Sequence, residues 1–456
     1  MSFIRKIKKK DAVYLAEVKN YREGGKVKQK VIKYIGKEVN GEAVRRIDSN
    51  SIEIESVKRY LDYRVLHLIS EELGLTEVLG KYAKYILLLV YTQIISRKSI
   101  YRLPEYIEQT TLKELLNIEK IIDKDLYNAL DELEDLDFKE IEIKIFERLS
   151  LKRREKNALI LDITDTYFAG KEAFWKERKG KDGKYDKLLQ IALAVTKEEG
   201  FPIMHKTYEG NINNIKIFQD LLSEARLKNF NFIVVDRGMI SYETISDLKE
   251  INQKIITGLR LNGKIKRDYL NIDREIIYRP DYLVKLKNTR VYAMDFNFME
   301  GKLIAVYNPE IELIKRNHAI ESGKYNSNQA RYMGYSLIYH TTRLSNEEVI
   351  KTYYEKDIVE KAFKELKTSI NLHPIRKYRM SHIKAHVKIC YMAYTLLAYM
   401  KHRLSPAGIS ATEALDKLSP VYKVYLKSIK EDFSWSKTVT LTKEQETILK
   451  LLGCSV

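Results

Sequence analysis

Cysteine, proline and glycine are scarce in this chain of 456 residues, which has 2 cysteines, 7 prolines and 19 glycines. Two cysteines, Cys390 and Cys454, are too few for a disulfide framework or a cysteine zinc site. We therefore expect the protein to reside in a reducing cytoplasm. So little glycine and proline excludes a collagen-like chain and argues against long disordered linkers. Long uncharged runs are also missing. The longest, Tyr85–Ser96 and Ile389–Met400, have 12 residues, fewer than the roughly 18 that indicate a membrane span, so we expect no membrane partner.

Positive charge is in excess. The chain has 81 Lys and Arg against 63 Asp and Glu, a net charge of +18. A polyanionic partner explains such a balance, and nucleic acid is the commonest one. A lysine-rich proteome is the alternative explanation.

The first 40 residues hold a disproportionate part of this charge, with 12 basic and 4 acidic side chains. Two strand-like runs, Ala12–Tyr21 and Lys26–Ile35, flank Gly24 and Gly25, which supply the freedom that a hairpin turn needs. We predict a basic β-ribbon over residues 1–46. It either lies along DNA or forms a β-rich cap on the next domain.

Helical periodicity dominates residues 47–155, including Val57–Leu73, and strand patterns begin at residue 158. The predicted strands are Ala158–Leu161, Leu188–Val195, Phe201–Tyr208, Phe232–Val235 and Ile255–Leu261, with helices at Asn214–Ala225 and Tyr242–Ile251. This order fits an α/β fold with an RNase H-like core, a mixed five-stranded sheet with flanking helices, over 156–261 and 346–403. Residues 262–345 read as a β-rich insertion with runs such as Glu275–Tyr278, and residues 404–456 as a helical C-terminal tail.

Two aspartates follow predicted strands of the core. Asp162 comes after Ala158–Leu161, and Asp236 comes after Phe232–Val235. Strands of a parallel sheet bring their carboxyl ends to one edge, where ligands of α/β proteins bind. Paired carboxylates repel each other unless a cation lies between them, and magnesium accepts such ligands. The pairing suggests a metal site without deciding it.

A third acidic residue lies on an amphipathic pattern over residues 351–370. At 100° per residue, Tyr353, Lys356, Glu360 and Lys367 share one face, and the apolar residues take the opposite face. Periodicity alone also fits an ordinary helix with a solvated charged face.

The spacing Tyr353-x2-Lys356-x3-Glu360-x6-Lys367 resembles the Y-(2)-R-(3)-E-(6)-K signature of DDE transposases of the insertion-sequence-four type. The runs Leu159–Thr164 and Val234–Gly238 resemble the first-Asp and second-Asp strands of that family. The carboxylates are 74 and 124 residues apart, and the longer interval is typical of the subgroup with a β-rich insertion before the Glu. Lys356 stands where the signature has an Arg. The lysine keeps the positive charge but cannot contact a phosphate in the bidentate geometry of an arginine.

The resemblance implies an insertion-sequence transposase that binds double-stranded DNA, both transposon ends and target, as a homodimer in a prokaryotic cytoplasm. It implies that Asp162, Asp236 and Glu360 are the catalytic residues and hold two Mg²⁺ ions, for which Mn²⁺ could substitute. These ions support phosphodiester hydrolysis and then strand transfer, with a 3′-hydroxyl replacing water. Tyr353 contacts or stacks on the transposon end, and Lys356 and Lys367 hold phosphates.

Further DNA contacts are expected beside these residues. Arg237 follows the second aspartate, and no acidic residue occurs between Glu365 and Glu413. The basic residues of that interval include Arg376, Lys377 and Arg379, with tyrosines interleaved. His382 and His386 have the spacing of a helical zinc pair but lack the zincin glutamate and an evident third ligand.

Two rival functions remain open. An RNase H-like DNA nuclease without strand transfer needs the same three carboxylates. A transposase-derived protein that only binds DNA does not need them. Asp162, Asp236 and Glu360 are all present, which favours an enzyme.

Deletion of residues 1–40 tests the ribbon, since it removes a net charge of +8. We expect weaker DNA binding and a salt dependence whose slope falls by about 0.9 for each phosphate that the ribbon no longer binds. Fluorescence anisotropy over a salt series measures both. An unchanged slope would show that the ribbon is only a structural cap.

Overall fold

A computed structural model of the chain describes residues 2–9, 12–39, 42–44, 51–149, 158–167, 177–179, 185–210, 212–224, 227, 230–241, 244–246, 248, 252–270, 274–286, 289–372, 375, 377, 379–429 and 433–454. The chain divides into two compact units. One is Met1–Tyr60 with Pro420–Leu441, and the other is Leu61–Ser419 with Thr442–Val456.

The first unit contains two antiparallel sheets. The four-stranded sheet consists of β1 (Ser2–Lys9), β2 (Ala12–Glu23), β3 (Lys26–Val39) and β4 (Glu42–Val44). Gly24 and Gly25 turn the chain between β2 and β3 with φ of 58° and 76°, as the sequence predicts. Most described side chains of this sheet are exposed, and Ala16 and Val18 are buried. The hairpin is therefore present, and the domain boundary at residue 46 stays a prediction.

The second sheet of this unit joins distant parts of the chain. β5 (Ile52–Arg59) pairs with β16 (Tyr422–Ser428), which pairs with β17 (Ser434–Thr438). Two local predictions are wrong here: Val57 lies in a strand instead of starting a helix, and residues 404–456 contain two strands as well as helices. The partner of each strand lies more than 360 residues away in the chain, so the pairing cannot be predicted from either segment alone.

The second unit begins with seven helices, as the helical periodicity predicts. They are α1 (Leu61–Glu72), α2 (Leu75–Leu79), α3 (Ala83–Ile95), α4 (Leu103–Ile107), α5 (Leu112–Leu115), α6 (Asp123–Asp135) and α7 (Phe138–Arg148). By length and composition the run Leu75–Ile95 could cross a membrane, with a mean hydropathy of 1.3. More than half of this run is buried inside the protein, as in the core helices of many proteins that never enter a membrane.

A ten-stranded mixed sheet forms the centre of the second unit. Its strands are β6 (Ala158–Tyr167), β7 (Glu177–Lys179), β8 (Tyr185–Thr196), β9 (Pro202–Glu209), β10 (Phe232–Val235), β11 (Ile255–Leu259), β12 (Leu283–Lys285), β13 (Arg290–Phe298), β14 (Gly301–Tyr307) and β15 (Tyr335–His340). The five predicted core strands lie in the order β9-β8-β6-β10-β11. β10 runs parallel to β6 and β11, and the remaining pairs are antiparallel. The mixed α/β prediction is confirmed.

The sheet is larger than the five strands predicted. The strands of the predicted insertion extend it directly, because β15 pairs with β11 and β14 pairs with β15. The same segment also contains four helices, α9 (Gly263–Tyr269), α10 (Arg274–Ile277), α11 (Pro309–Glu321) and α12 (Ser327–Ala330). The strand predicted at Glu275–Tyr278 is wrong, since most of it belongs to α10.

Further helices complete the unit. They are α8 (Asn214–Leu222), α13 (Asn346–Tyr354), α14 (Asp357–Thr368), α15 (Met380–Leu404), α16 (Ala411–Leu418) and α17 (Lys443–Leu452). α14 packs on β6 and β8, and its buried residues are Val359, Ala362, Phe363 and Leu366. α15 is mostly buried and contacts α3, α6, α14 and β9. It therefore holds the helical region against the sheet.

Glu142 provides a test of how α7 is attached to the sheet. Its buried carboxylate accepts a hydrogen bond from the backbone N–H of His205 in β9 at 2.8 Å and lies 2.7 Å from that residue's Nδ1. Glu142→Ala leaves these groups buried without an acceptor, so we expect a loss of about 3 kcal/mol in the free energy of unfolding, measured by urea denaturation. Glu140→Ala on the exposed side of α7 is the control, with an expected change within about 0.5 kcal/mol. Similar losses for the two variants would contradict this role.

Candidate active site

Asp162 and Asp236 lie side by side because their strands are parallel neighbours. The β6–β10 pairing ends at the pair Leu161–Val235, so the next residue on each strand is an aspartate. Asp236 directly follows the end of β10, as predicted. Asp162 is not at a strand end, because β6 continues to Tyr167 in its antiparallel pairing with β8. The two carboxylates still share one edge of the parallel pairing, which is what the prediction requires.

Glu360 joins them from α14. Asp162, Asp236, Glu360 and Lys356 line one pocket of about 120 Å³, together with the apolar ends of β6 and β10 and with Val359. The sequence separations of 74 and 124 residues are therefore closed by the fold.

The predicted continuous helix over 351–370 is wrong. α13 ends at Tyr354 and α14 begins at Asp357, so Tyr353 and Glu360 belong to different helices. Lys356 stands at the break between them. From there its ammonium donates a hydrogen bond to the Asp236 Oδ1.

This ion pair sets the charge state of Asp236. Partial burial works against ionisation of Asp236, yet the hydrogen bond and charge of Lys356, aided by the N–H groups of Arg237 and Gly238, hold its pKa below the ordinary value. Burial likewise disfavours the charged form of Lys356, but Asp236 and Tyr353 raise its pKa. The carboxylate and the ammonium are both charged near neutral pH.

Tyr353 packs beside the same ion pair. The Nζ of Lys356 lies 4.9 Å from the centre of the Tyr353 ring. Burial of Tyr353 raises the pKa of its hydroxyl, so the phenol stays protonated at neutral pH. Gly258 of β11 makes room for this phenol, because a Cβ there would come within 2.3 Å of the Tyr353 oxygen. Sequence reasoning missed Gly258, since its requirement arises only from tertiary contact.

Lys367 of α14 contacts β6 two residues beyond Asp162. Its Nζ donates to the Thr164 Oγ1 at 2.7 Å. Thr164 is two residues after Asp162 and therefore points to the same face of the strand. Sequence reasoning gave Thr164 no role beyond its place in the run Leu159–Thr164, although the alternation of side chains along β6 was a signal for one.

A divalent cation fits the donors of this pocket, because carboxylate oxygens are ligands that magnesium prefers. In the described ranges, no group of three Asp, Glu, His or Cys side chains is close enough to form a preassembled metal site. A cation bound to Asp236 would compete with Lys356 for the same carboxylate.

The other predicted DNA-binding residues are spread more widely. Arg237 is exposed next to Asp236, and Arg379 is exposed at the start of α15. Lys377 is half-buried in a separate cleft, and Arg376 lies outside the described residues.

Several basic residues of α15 have acidic partners in the helical region. Lys388 lies 3.2 Å from Glu134, and Arg403 pairs with Glu72. His382 lies 2.9 Å from Asp131, whereas His386 is half-buried and lies 3.6 Å from the Cys390 sulfur. The two histidines thus have different neighbours and do not form a pair of metal ligands.

Comparison with known proteins gives two family matches. The family described as "Transposase DDE domain" matches residues 153–396, more than half of the chain. The family described as "IS1634 family transposase, N-terminal domain" matches residues 4–62. No curated protein sequence is similar enough to count as a match. One similar solved structure, a cryo-EM structure of piggyBac transposase synaptic complex with hairpin DNA, shares 14% identity over 78% of each chain with a TM-score of 0.43.

The first match confirms the resemblance to DDE transposases. The insertion-sequence-four subtype and its inserted segment stay predictions.

Lys356→Gln tests the ion pair. The lowered pKa means that ionised Asp236 stabilises the fold above the carboxyl's ordinary pKa, and that this stabilisation is lost as the pH falls through the lowered value. Without the ammonium we expect the pKa of Asp236 to rise, as followed by carbon-detected NMR titration. Lys361→Gln, whose lysine pairs with Asp357 at 2.7 Å, is the control and should leave that pKa in place. An unchanged Asp236 titration in Lys356→Gln would refute the assignment.

Proposed function

From the membership of this chain in the DDE transposase family, shown by a match over more than half its length, we propose that it catalyses cut-and-paste DNA transposition. It would bind the ends of its own insertion sequence, hydrolyse a phosphodiester bond there and transfer the freed 3′ end to target DNA. The observation that carries this proposal is the convergence of Asp162, Asp236 and Glu360 on one pocket. The fold that brings them together would be an RNase H-like core of the insertion-sequence-four type.

Asp162, Asp236 and Glu360 would hold the divalent ions, two Mg²⁺ in this proposal. When bound, such ions supply an activated oxygen nucleophile and stabilise the leaving 3′ oxygen. The protein's part is to present carboxylates from two adjacent strands and one helix to a single pocket.

Lys356 would have two successive partners. Its contact with Asp236 offsets the repulsion between neighbouring carboxylates when no cation is present. With a divalent ion held at Asp236, the Lys356 ammonium would be able to face a DNA phosphate as a charge-assisted donor. A lysine suits this exchange because it acts as a single point charge on a flexible stem.

Tyr353 and Lys367 would position the DNA strand on either side of the carboxylates. The protonated phenol of Tyr353 can donate to a phosphate oxygen or stack on a base, and it is a poor nucleophile in this state. Lys367, held by Thr164 next to Asp162, offers a second phosphate contact. Hydrolysis by an activated water needs no covalent protein intermediate, which agrees with these roles.

Binding to long duplex DNA would use the wider charge distribution. The net charge of +18 and the exposed ribbon of β1–β4 suit a polyanion, and Arg237 and Arg379 lie exposed on the second unit. A homodimer on paired transposon ends in a prokaryotic cytoplasm completes the proposal.

Substitutions in the pocket separate its metal-binding residues from its phosphate contacts. Asp162→Asn and Glu360→Gln keep side-chain volume but remove charge that a hard cation needs. We expect cleavage of DNA that carries the flanking ends of the element to fall below about a tenth of wild type, because even the loss of an outer-shell partner of a metal ligand costs about 10- to 100-fold. Affinity for the ends should change little. Lys367→Ala should instead weaken end binding and lower cleavage only in part, with recovery at higher DNA concentration.

Glu347→Gln and Lys364→Ala are the matched controls, since both residues are exposed on the neighbouring surfaces of α13 and α14. Both should bind and cleave like wild type. Cleavage by Glu360→Gln at the level of the controls would contradict the three-carboxylate site. A wild-type protein that cuts the ends but never joins them to target DNA would establish a nuclease without strand transfer.

A further inference from the structure

A second cleft lies in the same compact unit, on residues that the proposed chemistry does not use. It is formed by the C-terminal end of α3 with the segment that follows it, by the residues after α14, and by α15. Its volume is about 170 Å³, which is room for several waters or a phosphate group. Leu89, Ile100, Leu103, Leu130 and Ile389 form its apolar part.

The polar lining of this cleft is positive. Arg97, Lys98 and Lys377 contribute three cations, and no carboxylate is among the described residues that line it. None of these three residues forms an ion pair with an acidic side chain in the described part of the chain. In contrast, Lys388 and Arg403 on α15 each contact a glutamate. The described lining of the cleft therefore holds three cations and no carboxylate, with Arg97 and Lys98 exposed to solvent, Lys98 also 5.2 Å from the centre of the Tyr106 ring, and Lys377 half-buried.

Lys377 is the deepest of the three cations. It is half-buried, and desolvation lowers its pKa, which is the behaviour of an ammonium that lacks a counter-charge. His386 beside it cannot share the charge, because burial lowers its pKa to about 3 and keeps the imidazole neutral. A bound anion would restore the missing counter-charge of Lys377 and raise its pKa.

The segment that lines one side of the cleft, Arg97 to Ile100, continues in the chain into an exposed tyrosine, which favours a nucleic acid as the source of the anion. Residues 97–102 read Arg-Lys-Ser-Ile-Tyr-Arg, and Tyr101 is 79% exposed, the highest exposure among the large hydrophobic side chains that the structure describes. An exposed aromatic ring between basic side chains suits a base and its phosphate better than a free inorganic anion. Arg97 is held at φ 52° at the end of α3, where its N–H bonds to the Thr92 carbonyl, so this segment begins at a fixed backbone position.

The cleft is also linked to the candidate active site by the chain itself. α14 carries Glu360 and Lys367, and Asn371, just beyond its end, lines the cleft. Gln93 of α3 donates to the Ile370 carbonyl at 2.6 Å and fixes this connection. The eight helical steps from Glu360 to Thr368, the end of α14, span about 12 Å, a distance that a DNA strand covers in about four nucleotides.

We propose that this cleft binds a backbone phosphate of the DNA that occupies the active site, with Lys377, Arg97 and Lys98 as its ligands. The proposal rests on the proposed transposase function, since it assigns part of the same DNA to a second contact. It adds a sequence-independent anchor on the helical region, several nucleotides from the cleaved bond.

The test is the salt dependence of DNA binding by the full-length protein. Lys377→Gln in combination with Arg97→Gln removes one phosphate contact, so the slope of log K against log salt should fall by about 0.9. The ratio of the DNA-binding constant of wild type to that of the double variant should therefore be about 3.5-fold smaller at 200 mM salt than at 50 mM salt. The change should be the same on element-end DNA and on an unrelated duplex, because phosphate contacts carry no sequence information.

Lys417→Gln is the matched control, because it makes the same substitution at a lysine that we do not expect to contact DNA. This lysine lies 2.7 Å from Glu413 and 2.6 Å from Glu444. Lys377→Arg keeps the charge and should retain the wild-type slope, which separates the removal of a phosphate ligand from damage to the fold. Sodium phosphate at constant ionic strength should not compete with DNA at millimolar concentration. Efficient competition would identify a site for free phosphate instead and would overturn the proposal.

The outcomes distinguish this proposal from the function on which it rests. Wild-type binding with an unchanged slope in Lys377→Gln/Arg97→Gln overturns the cleft alone. A wild-type protein that fails to bind DNA overturns the transposase function and the cleft together.

Discussion

The parallel pairing of β6 with β10 is the constraint on which the candidate site depends. Its register places Leu161 opposite Val235 and so brings Asp162 and Asp236 to neighbouring strands at one edge. Four apolar residues before them, Ile160, Leu161, Val234 and Val235, are at most 1% exposed. A slip of one residue would draw an aspartate into the buried part of the parallel pairing, so the cost of burying a charge fixes the register. The core thereby stabilises the approach of two like charges.

The break between α13 and α14 resolves part of that electrostatic cost. It frees Lys356 from the helical stripe and lets its ammonium reach Asp236, while Tyr353 packs into the space left by Gly258. No glycine or proline occurs over residues 351–370, so helical periodicity predicts one continuous helix. The break depends on contacts with strands more than 90 residues away in the chain. The candidate site residues were therefore predictable from the sequence here, but their division between two helices was not.

The same distinction holds for the fold. Strands β6, β8, β9, β10 and β11 were predictable because each is an apolar run bounded by polar or turn residues, and their order in the chain indicates a mixed α/β core. The pairing of β5 with β16 and that of β11 with β15 were not, because hydrogen bonds between distant segments leave no local pattern. A hairpin such as β2–β3 lies between these cases, since Gly24 and Gly25 mark its turn in the sequence itself.

The charge of a segment in the sequence does not give the charge of the surface that the segment forms in the fold. The interval between Glu365 and Glu413 has no acidic residue, yet α15 packs beside helices that supply Glu72, Asp131 and Glu134 as partners. Those contacts neutralise basic residues that sequence alone assigns to DNA. Each neutralised pair also holds α15 to the helical region, so its charges contribute to the fold. Lys377, half-buried beside the exposed Arg97 and Lys98, then gains significance, because a charge taken out of water is costly unless it is paired, and no carboxylate is among the described residues that line its cleft.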